Sequence, residues 1–173
     1  MRFRQIEPFG ANHKSLRMAF ACGSAPLDRY LKEQASQDAK ERVAIPYILV
    51  SEDNRIAGYY TLSADNIRVD DLPAELVDKL KLPRYPVVGA TLLGRLAPDL
   101  SFKGHGIGEL LVADALKRWL RASRQVASFG VVVDAKDDHA HSFYREFGFM
   151  PFPESQSRIF MLMKTVEQVW PDV

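Results

Sequence analysis

Lys103 is followed by glycines at alternate positions, Gly104, Gly106 and Gly108, in the run Lys-Gly-His-Gly-Ile-Gly. Glycine carries no Cβ, so backbone N–H groups there can approach a ligand closely. An amphipathic pattern starting at Ile107 puts the positive end of a helix at the same spot, and that combination suits an anion. Two phosphate motifs do not fit. A Walker loop ends in Gly-Lys-Ser/Thr, which is absent, and a dinucleotide fingerprint spaces its glycines G-x-G-x-x-G where this run has G-x-G-x-G. The same triplet also suits a tight strand-to-helix turn with a purely steric purpose.

Few other residues are marked out by type and spacing. Tyr144 shares a helical face with Ala140, Phe143 and Phe147, which reads as a core aromatic stripe. His13, His105, His139 and His141 read as structural or solvated, and none stands out as a general base. Cys22 is the only cysteine, so an internal disulfide and a cysteine-based metal cluster are excluded, and no metal site is expected. Lys117, Arg118, Arg121 and Arg124 fall in a stretch free of acids between Asp114 and Asp134, with Lys79, Lys81, Arg84 and Arg95 as a second cationic set. Such sets serve either as a nucleic-acid footprint or as a solvated helix face.

These residues need a scaffold, and the chain has the size and composition of one globular domain: 173 residues, 47% hydrophobic and 26% charged. A formal net charge of +1 means that a polyanionic partner would have to be met by a local patch rather than a global field. No apolar run approaches the ~18 residues of a membrane span, and residues 1–9 lack the order of a signal peptide, so the expected location is the cytoplasm.

Ser24 caps a helix that reaches toward Lys40, and the β-branched runs Ile45–Val50 and Ile56–Leu62 flank the polar turn at residues 52–55 as a hairpin. Leu72–Leu82 forms a short helix ended by Pro83. Val87–Ala97 is a strand running into the glycine loop, and the following helix carries Ile107, Leu110, Leu111, Ala115, Leu116 and Trp119 on its apolar side. A buried strand at Phe129–Val133, a helix from Asp138 to Phe147 capped by Gly148, and a strand at Arg158–Lys164 complete the order. The fold class is α/β, a mixed sheet flanked by helices.

Lys103–Gly108 resembles the R/Q-x-x-G-x-G/A motif of GNAT acetyltransferases, and its setting between a strand and an amphipathic helix is similar to theirs. The resemblance implies a single GNAT domain over residues 1–173 with acetyl-CoA as co-substrate. It assigns the pantetheine arm to Leu96 and Pro98, and the pyrophosphate to Lys103, Gly104, Gly106 and Gly108. Lys103 replaces the usual Arg or Gln, and Pro98 lacks the N–H of the usual aliphatic residue, which removes one donor. Phe143-Tyr-Arg-Glu-Phe-Gly-Phe149 is similar to the family's F-Y-x-x-x-G-F helix end, which implies that Tyr144 protonates the departing thiolate. A phenol of pKa about 10 is competent for that step.

The segments Asn12–Gly23, Leu27–Leu31, Gly58–Ser63 and Leu93–Ala97 further resemble the tRNA-acetylating GNAT toxins of type II toxin-antitoxin modules, a likeness reaching from about Asn12 to Lys164. It implies acetylation of the α-amine of aminoacyl-tRNA, Arg84 and Arg95 on the tRNA side, a ribbon-helix-helix antitoxin and a homodimer. The lack of an evident base agrees with an α-amine acceptor, whose pKa of about 7.7 to 8.0 leaves it substantially neutral, unlike a lysine ε-amine. The competing readings are an acetyltransferase of small amines or protein N-termini, and a catalytically silent coenzyme A-binding module.

Overall fold

A computed structural model of the chain describes residues 2–82 and 85–173; Pro83 and Arg84, the latter assigned above to the tRNA side, lie outside the described residues. The strands are β1 (Glu7–Pro8), β2 (Ile45–Val50), β3 (Ile56–Arg68), β4 (Val87–Pro98), β5 (Gly130–Asp134), β6 (Met150–Pro151) and β7 (Arg158–Leu162). They form one seven-stranded mixed sheet in the order β1-β2-β3-β4-β5-β7-β6. The helices are α1 (Ala25–Arg29), α2 (Ala35–Glu41), α3 (Ala74–Leu80), α4 (Ile107–Ala122), α5 (Asp138–Glu146) and α6 (Met163–Val169). Among the described residues no helix is long and apolar enough to cross a membrane.

The chain divides into two compact units, Met1–Ser63 with Leu93–Ala115, and Ala64–Leu92 with Leu116–Val173. In the first unit β2 and β3 pair antiparallel with Ile48 opposite Tyr59, and the expected hairpin is present, although β3 runs on to Arg68. The helix expected from Ser24 to Lys40 is present with an interruption. Residues Tyr30–Gln34 form a π-helical turn between α1 and α2. The Tyr59 hydroxyl donates to the Leu27 carbonyl (2.6 Å) where the hydrogen-bond ladder shifts, the kind of side-chain insertion that distorts a helix.

Seating α4 on β3 depends on an absence. A Cβ at Gly58 would lie 2.9 Å from both Ile107 Cγ2 and Leu111 Cδ1, closer than real Cβ atoms come, and a tight 3.2 Å from the Ala97 carbonyl oxygen. The missing methyl lets the first turns of α4 lie against the strand. Tyr60, one strand residue along from Tyr59, donates its hydroxyl to Asp114 on α4 (2.5 Å), a second tie between the same two elements. The buried side of α4 is Ile107, Leu111, Val112, Ala115, Leu116, Trp119 and Leu120. Leu110, expected there, stands 45% exposed, because one step around the helix turns it to solvent.

In the second unit β4 pairs in parallel with β5 from Ala90 opposite Gly130 to Leu92 opposite Val132, and β5 pairs antiparallel with β7. Val131, Val132 and Val133 are all buried, the expected signature of a strand covered on both faces. Gly148 follows α5 with φ +103, the left-handed cap anticipated from its position. The run Arg158–Lys164, read as one strand, instead changes to helix α6 at Met163. Both edge strands, β1 and β6, are two residues long and each includes a proline, Pro8 or Pro151.

Replacing Gly58 with valine forces α4 off β3 or strains both. The expected cost, at the usual scale of overpacking, is about 1 to 3 kcal/mol, read from the urea midpoint; an unchanged midpoint would show that the contact with Ile107 and Leu111 is not tight.

Candidate active site

The glycine loop is held rigidly at both ends. On the strand side Asp99 is 97% buried by the complement of its 3% exposure, and its backbone N–H donates to the Ala57 carbonyl (2.8 Å). Its carboxylate accepts from Ser101 N–H at Oδ1 (2.7 Å) and from Ala21 N–H at Oδ2 (2.9 Å), capping the turn Leu100–Phe102. Phe102 is buried, packs edge-on against Phe3 with ring centres 5.8 Å apart, and lies under the Arg55 guanidinium. On the helix side the anchor is Ile107 against Gly58. Lys103, Gly104, His105 and Gly106 between these anchors are exposed.

Gly104 (φ +87) and Gly106 (φ +69) take the left-handed conformation that side chains disfavour. A Cβ on Gly104 would meet nothing within 4 Å, so the space in front of it is open; one on Gly106 would meet only Glu109 Oε2, at 3.8 Å. Lys103 N–H donates to Leu100 O and His105 N–H to Phe102 O, closing the turn. Among the described residues the N–H groups of Gly104, Gly106, Ile107, Gly108 and Glu109 have no protein acceptor. They are clustered at the start of a helix of 16 residues, with Lys103 preceding them in the chain and the Glu109 carboxylate near Gly106. That donor set fits a diphosphate.

Upstream, β4 continues through Leu96 to Pro98, both half-buried, whereas its pairing with β5 ends at Leu92 among the described residues. The later part of the strand therefore has backbone groups free to bond an extended ligand, less the donor that Pro98 lacks. Leu96, Pro98, Lys103, Gly104, Gly106 and Gly108 are thus brought together on one segment of the first unit.

Arg95, on the same strand, lies flat over the Tyr30 ring with its guanidinium carbon 3.6 Å from the ring centre, a cation–π contact. Tyr30 stacks in turn on Tyr59 and donates its hydroxyl to the buried Asp38 (2.8 Å), whose other oxygen accepts from Gln34 (2.9 Å). Burial, followed by the bond to Asp38, holds the Tyr30 phenol above its ordinary pKa, with Arg95 opposing. Arg95 and Tyr30, with Arg29, Glu33 and Gln34, line a cleft of about 310 Å³ on the π-helical turn.

Tyr144 belongs to the second unit. Asp137 caps α5 by accepting from Ala140 N–H (2.8 Å), and Tyr144 is buried between the edges of Phe143 and Phe149, each with ring centres 5.3 Å away. Burial pushes its phenol above the ordinary value, which keeps it protonated at neutral pH. Among the described residues its hydroxyl has no protein hydrogen-bond partner, and although the ring is buried the hydroxyl oxygen is not closed off from solvent.

Residues 13–149 match the Acetyltransferase (GNAT) family. The chain belongs to the GNAT acetyltransferase family. This GNAT chain is 30% identical over 146 residues to the tRNA-acetylating toxin of Mycobacterium tuberculosis, covering 84% of the chain and 85% of that protein. It is also similar to the structure of AtaT complexed with acetyl-methionyl-tRNAfMet, with TM-score 0.88, 29% identity and coverage of 98% of this chain and 99% of that one. A second similar structure is a mutant AtaT toxin, tyrosine changed to phenylalanine, bound to the C-terminus of the antitoxin AtaR and acetyl-CoA. Its TM-score is 0.78, with 27% identity over 96% of this chain and 97% of that one.

Asp99 and the π-helical turn escaped the sequence reading of this GNAT chain. Asp99 had a signal, the Asp-x-Ser spacing of an Asx turn, whereas the turn had none. The remaining polar candidates have structural partners. His13 is fully buried, accepts from Gly10 N–H at Nδ1 (2.9 Å) and sits 3.0 Å from Glu7 through Nε2; burial lowers its pKa against the raising effect of Glu7. The Cys22 N–H donates to Asp28 (2.8 Å) and its thiol faces the Ser24 carbonyl.

Because a Cβ at Gly104 meets no protein atom, Gly104→Ala separates ligand contact from packing. Its acetyl-CoA Kd is expected to rise about tenfold or more, as is that of Gly106→Val, with only the modest stability loss of a strained φ. Calorimetry showing parent-like binding by both variants would remove the loop from the coenzyme site.

Proposed function

We propose that this GNAT chain is a toxin that transfers the acetyl group of acetyl-CoA to the α-amine of an aminoacyl-tRNA and so blocks translation. The observation that carries the reading is the likeness, over 98% of the chain, to AtaT with its acetyl-methionyl-tRNAfMet. The two units act as one GNAT domain, a reading supported by β3, β4 and α4, each of which contributes residues to both. The partners are the aminoacyl-tRNA, a second copy of the chain in a homodimer, and an antitoxin of the ribbon-helix-helix type, by analogy with AtaT and AtaR. The place of action is the cytoplasm, where charged tRNA is found.

Acetyl-CoA supplies an activated thioester carbonyl. The amides of Gly104, Gly106, Ile107 and Gly108, with Lys103, hold its diphosphate, and the β4 backbone at Leu96 and Pro98 aligns the arm leading to the sulfur. The acceptor α-amine arrives largely neutral and needs no dedicated base. As the C–N bond forms and the C–S bond breaks, the Tyr144 hydroxyl donates its proton to the departing sulfur; the ammonium formed on the acceptor releases a proton to water, and the phenolate takes one back from water to restore the acid. Arg95, and with it Arg84, neutralises phosphates of the acceptor arm.

Incubating the protein with acetyl-CoA and bulk charged tRNA, then identifying the acetylated aminoacyl esters by mass spectrometry, tests the reading. Acetylation of free amines with none of charged tRNA would replace it with a small-amine transferase; thermal stabilisation by acetyl-CoA without turnover would leave a binding module.

Tyr144→Phe is expected to keep fold and acetyl-CoA affinity while kcat falls by roughly 10². Because burial raises the phenol's pKa, kcat/KM of the parent should climb with pH as the acceptor amine loses its proton and show no decline up to about pH 10. Parent-like turnover by the phenylalanine variant would refute the acid role.

Arg95→Gln spares the packing over Tyr30 better than charge reversal does. It should weaken tRNA binding and lower the salt slope of log Kd by about one, with acetyl-CoA binding unchanged. An equal loss of activity on a free aminoacyl amide would make Arg95 a support of the π-helical turn alone.

A further inference from the structure

The second unit carries an apolar groove of about 340 Å³ that none of the chemistry above uses. Its floor is Leu80 at the end of α3, Leu82 just after it, Phe129 ahead of β5, and Leu162 and Met163 where β7 passes into α6. Leu80, Leu82 and Phe129 pack against the core of this unit yet stay only partly covered.

The polar groups within the groove are already satisfied. Ser128 Oγ accepts from Trp119 Nε1 (2.8 Å), shares a bond with Thr91 (3.1 Å) and points to the Gly130 carbonyl (3.3 Å). The Phe129 backbone donates to Gly89 O and accepts from Met163 N–H. A ligand on this floor therefore finds contact area and no hydrogen-bond demand, which favours apolar side chains.

Among the described residues one cation lines the groove, and four more are close in the chain to residues at it. Lys164 lines the groove, Lys79 and Lys81 flank Leu80, and Arg121 and Arg124 lie on either side of Ser123, whose hydroxyl touches the Met163 sulfur (3.5 Å). Among the described residues none of these cations has an ion-pair partner. Glu75 and Asp78 on α3 and Glu167 on α6 are the acids on the adjoining helices.

We propose that this groove seats a segment of a partner protein that combines apolar side chains for the floor with carboxylates for the rim. A second copy of this chain is disfavoured, because a two-fold contact would set the same lysines and arginines against each other. RNA is disfavoured because phosphates gain nothing from the leucine and methionine floor, where the Ser128 side chain and the Phe129 backbone are already hydrogen-bonded and leave nothing to read a base.

The test uses the full chain and two labelled peptides of equal leucine content, one bearing glutamates and the other lysines. By fluorescence polarisation the glutamate peptide should bind about tenfold tighter or more than the lysine peptide. The pair Lys81→Glu with Lys164→Glu should reverse that preference, and Leu82→Ser should abolish binding while leaving tRNA affinity intact. Hydrogen exchange on the unmodified chain, which needs no variant to fold, should show protection of residues 80–82 and 129 on adding the peptide. Equal binding of both peptides, protection elsewhere, loss of tRNA binding in Leu82→Ser, or self-association abolished by the lysine changes would each overturn the proposal.

Discussion

The contact on which the proposed coenzyme cradle depends is the seating of Ile107 and Leu111 directly on the backbone of Gly58. A helix start can serve an anion only if its amides stay where the ligand expects them, and here the first turn of α4 is fixed by steric contact with β3. From that point the loop has little freedom left. Asp99 and Phe102 fix its other end, and the left-handed Gly104 and Gly106 make the connection between the two anchors. The amides are thus oriented before any ligand arrives, and ordering them costs nothing at the moment of binding.

Proton placement follows a similar economy. A phenol is neutral at physiological pH and burial makes Tyr144 more firmly so, which suits the proton-donating role proposed for it. On the acceptor side the chemistry is delegated to the substrate, since an esterified α-amine is a stronger nucleophile at neutral pH than a lysine ε-amine. A base in the protein would add little. The histidines agree with this: His13, the buried one with a shifted pKa, is occupied by Gly10 and Glu7.

Much of this was legible in the sequence, and the exceptions have physical causes. Alternation and helical spacing located β2, β4, β5, α4 and α5 to within a residue or two, because each buries a face whose period is fixed by its backbone geometry. The glycine loop was readable because positive φ demands a specific residue type. What stayed hidden was decided by tertiary partners. The π-helical turn at Tyr30–Gln34 involves Tyr59, from a strand far along the chain, whose hydroxyl takes the Leu27 carbonyl. The switch from β7 to α6 at Met163 falls within a continuous apolar run with no breaker to mark it. β1 and β6 are too short for any periodicity to register. Asp99 looks like an ordinary surface acid until Ala21 is brought beside it.

Those short outer strands have a further bearing on how the molecule behaves in a crowded solution. A sheet grows when a foreign chain finds a long, flat border with open amide and carbonyl groups. Here the outer strands β1 and β6 are each two residues long, with only the single bridge of Phe3 to Ser51 ahead of β1, and they include Pro8 and Pro151, which have no hydrogen to offer. Among the described residues the two outer strands give fibrous stacking a poor template, and the backbone that stays open to an extended partner is the later part of β4, inside the sheet.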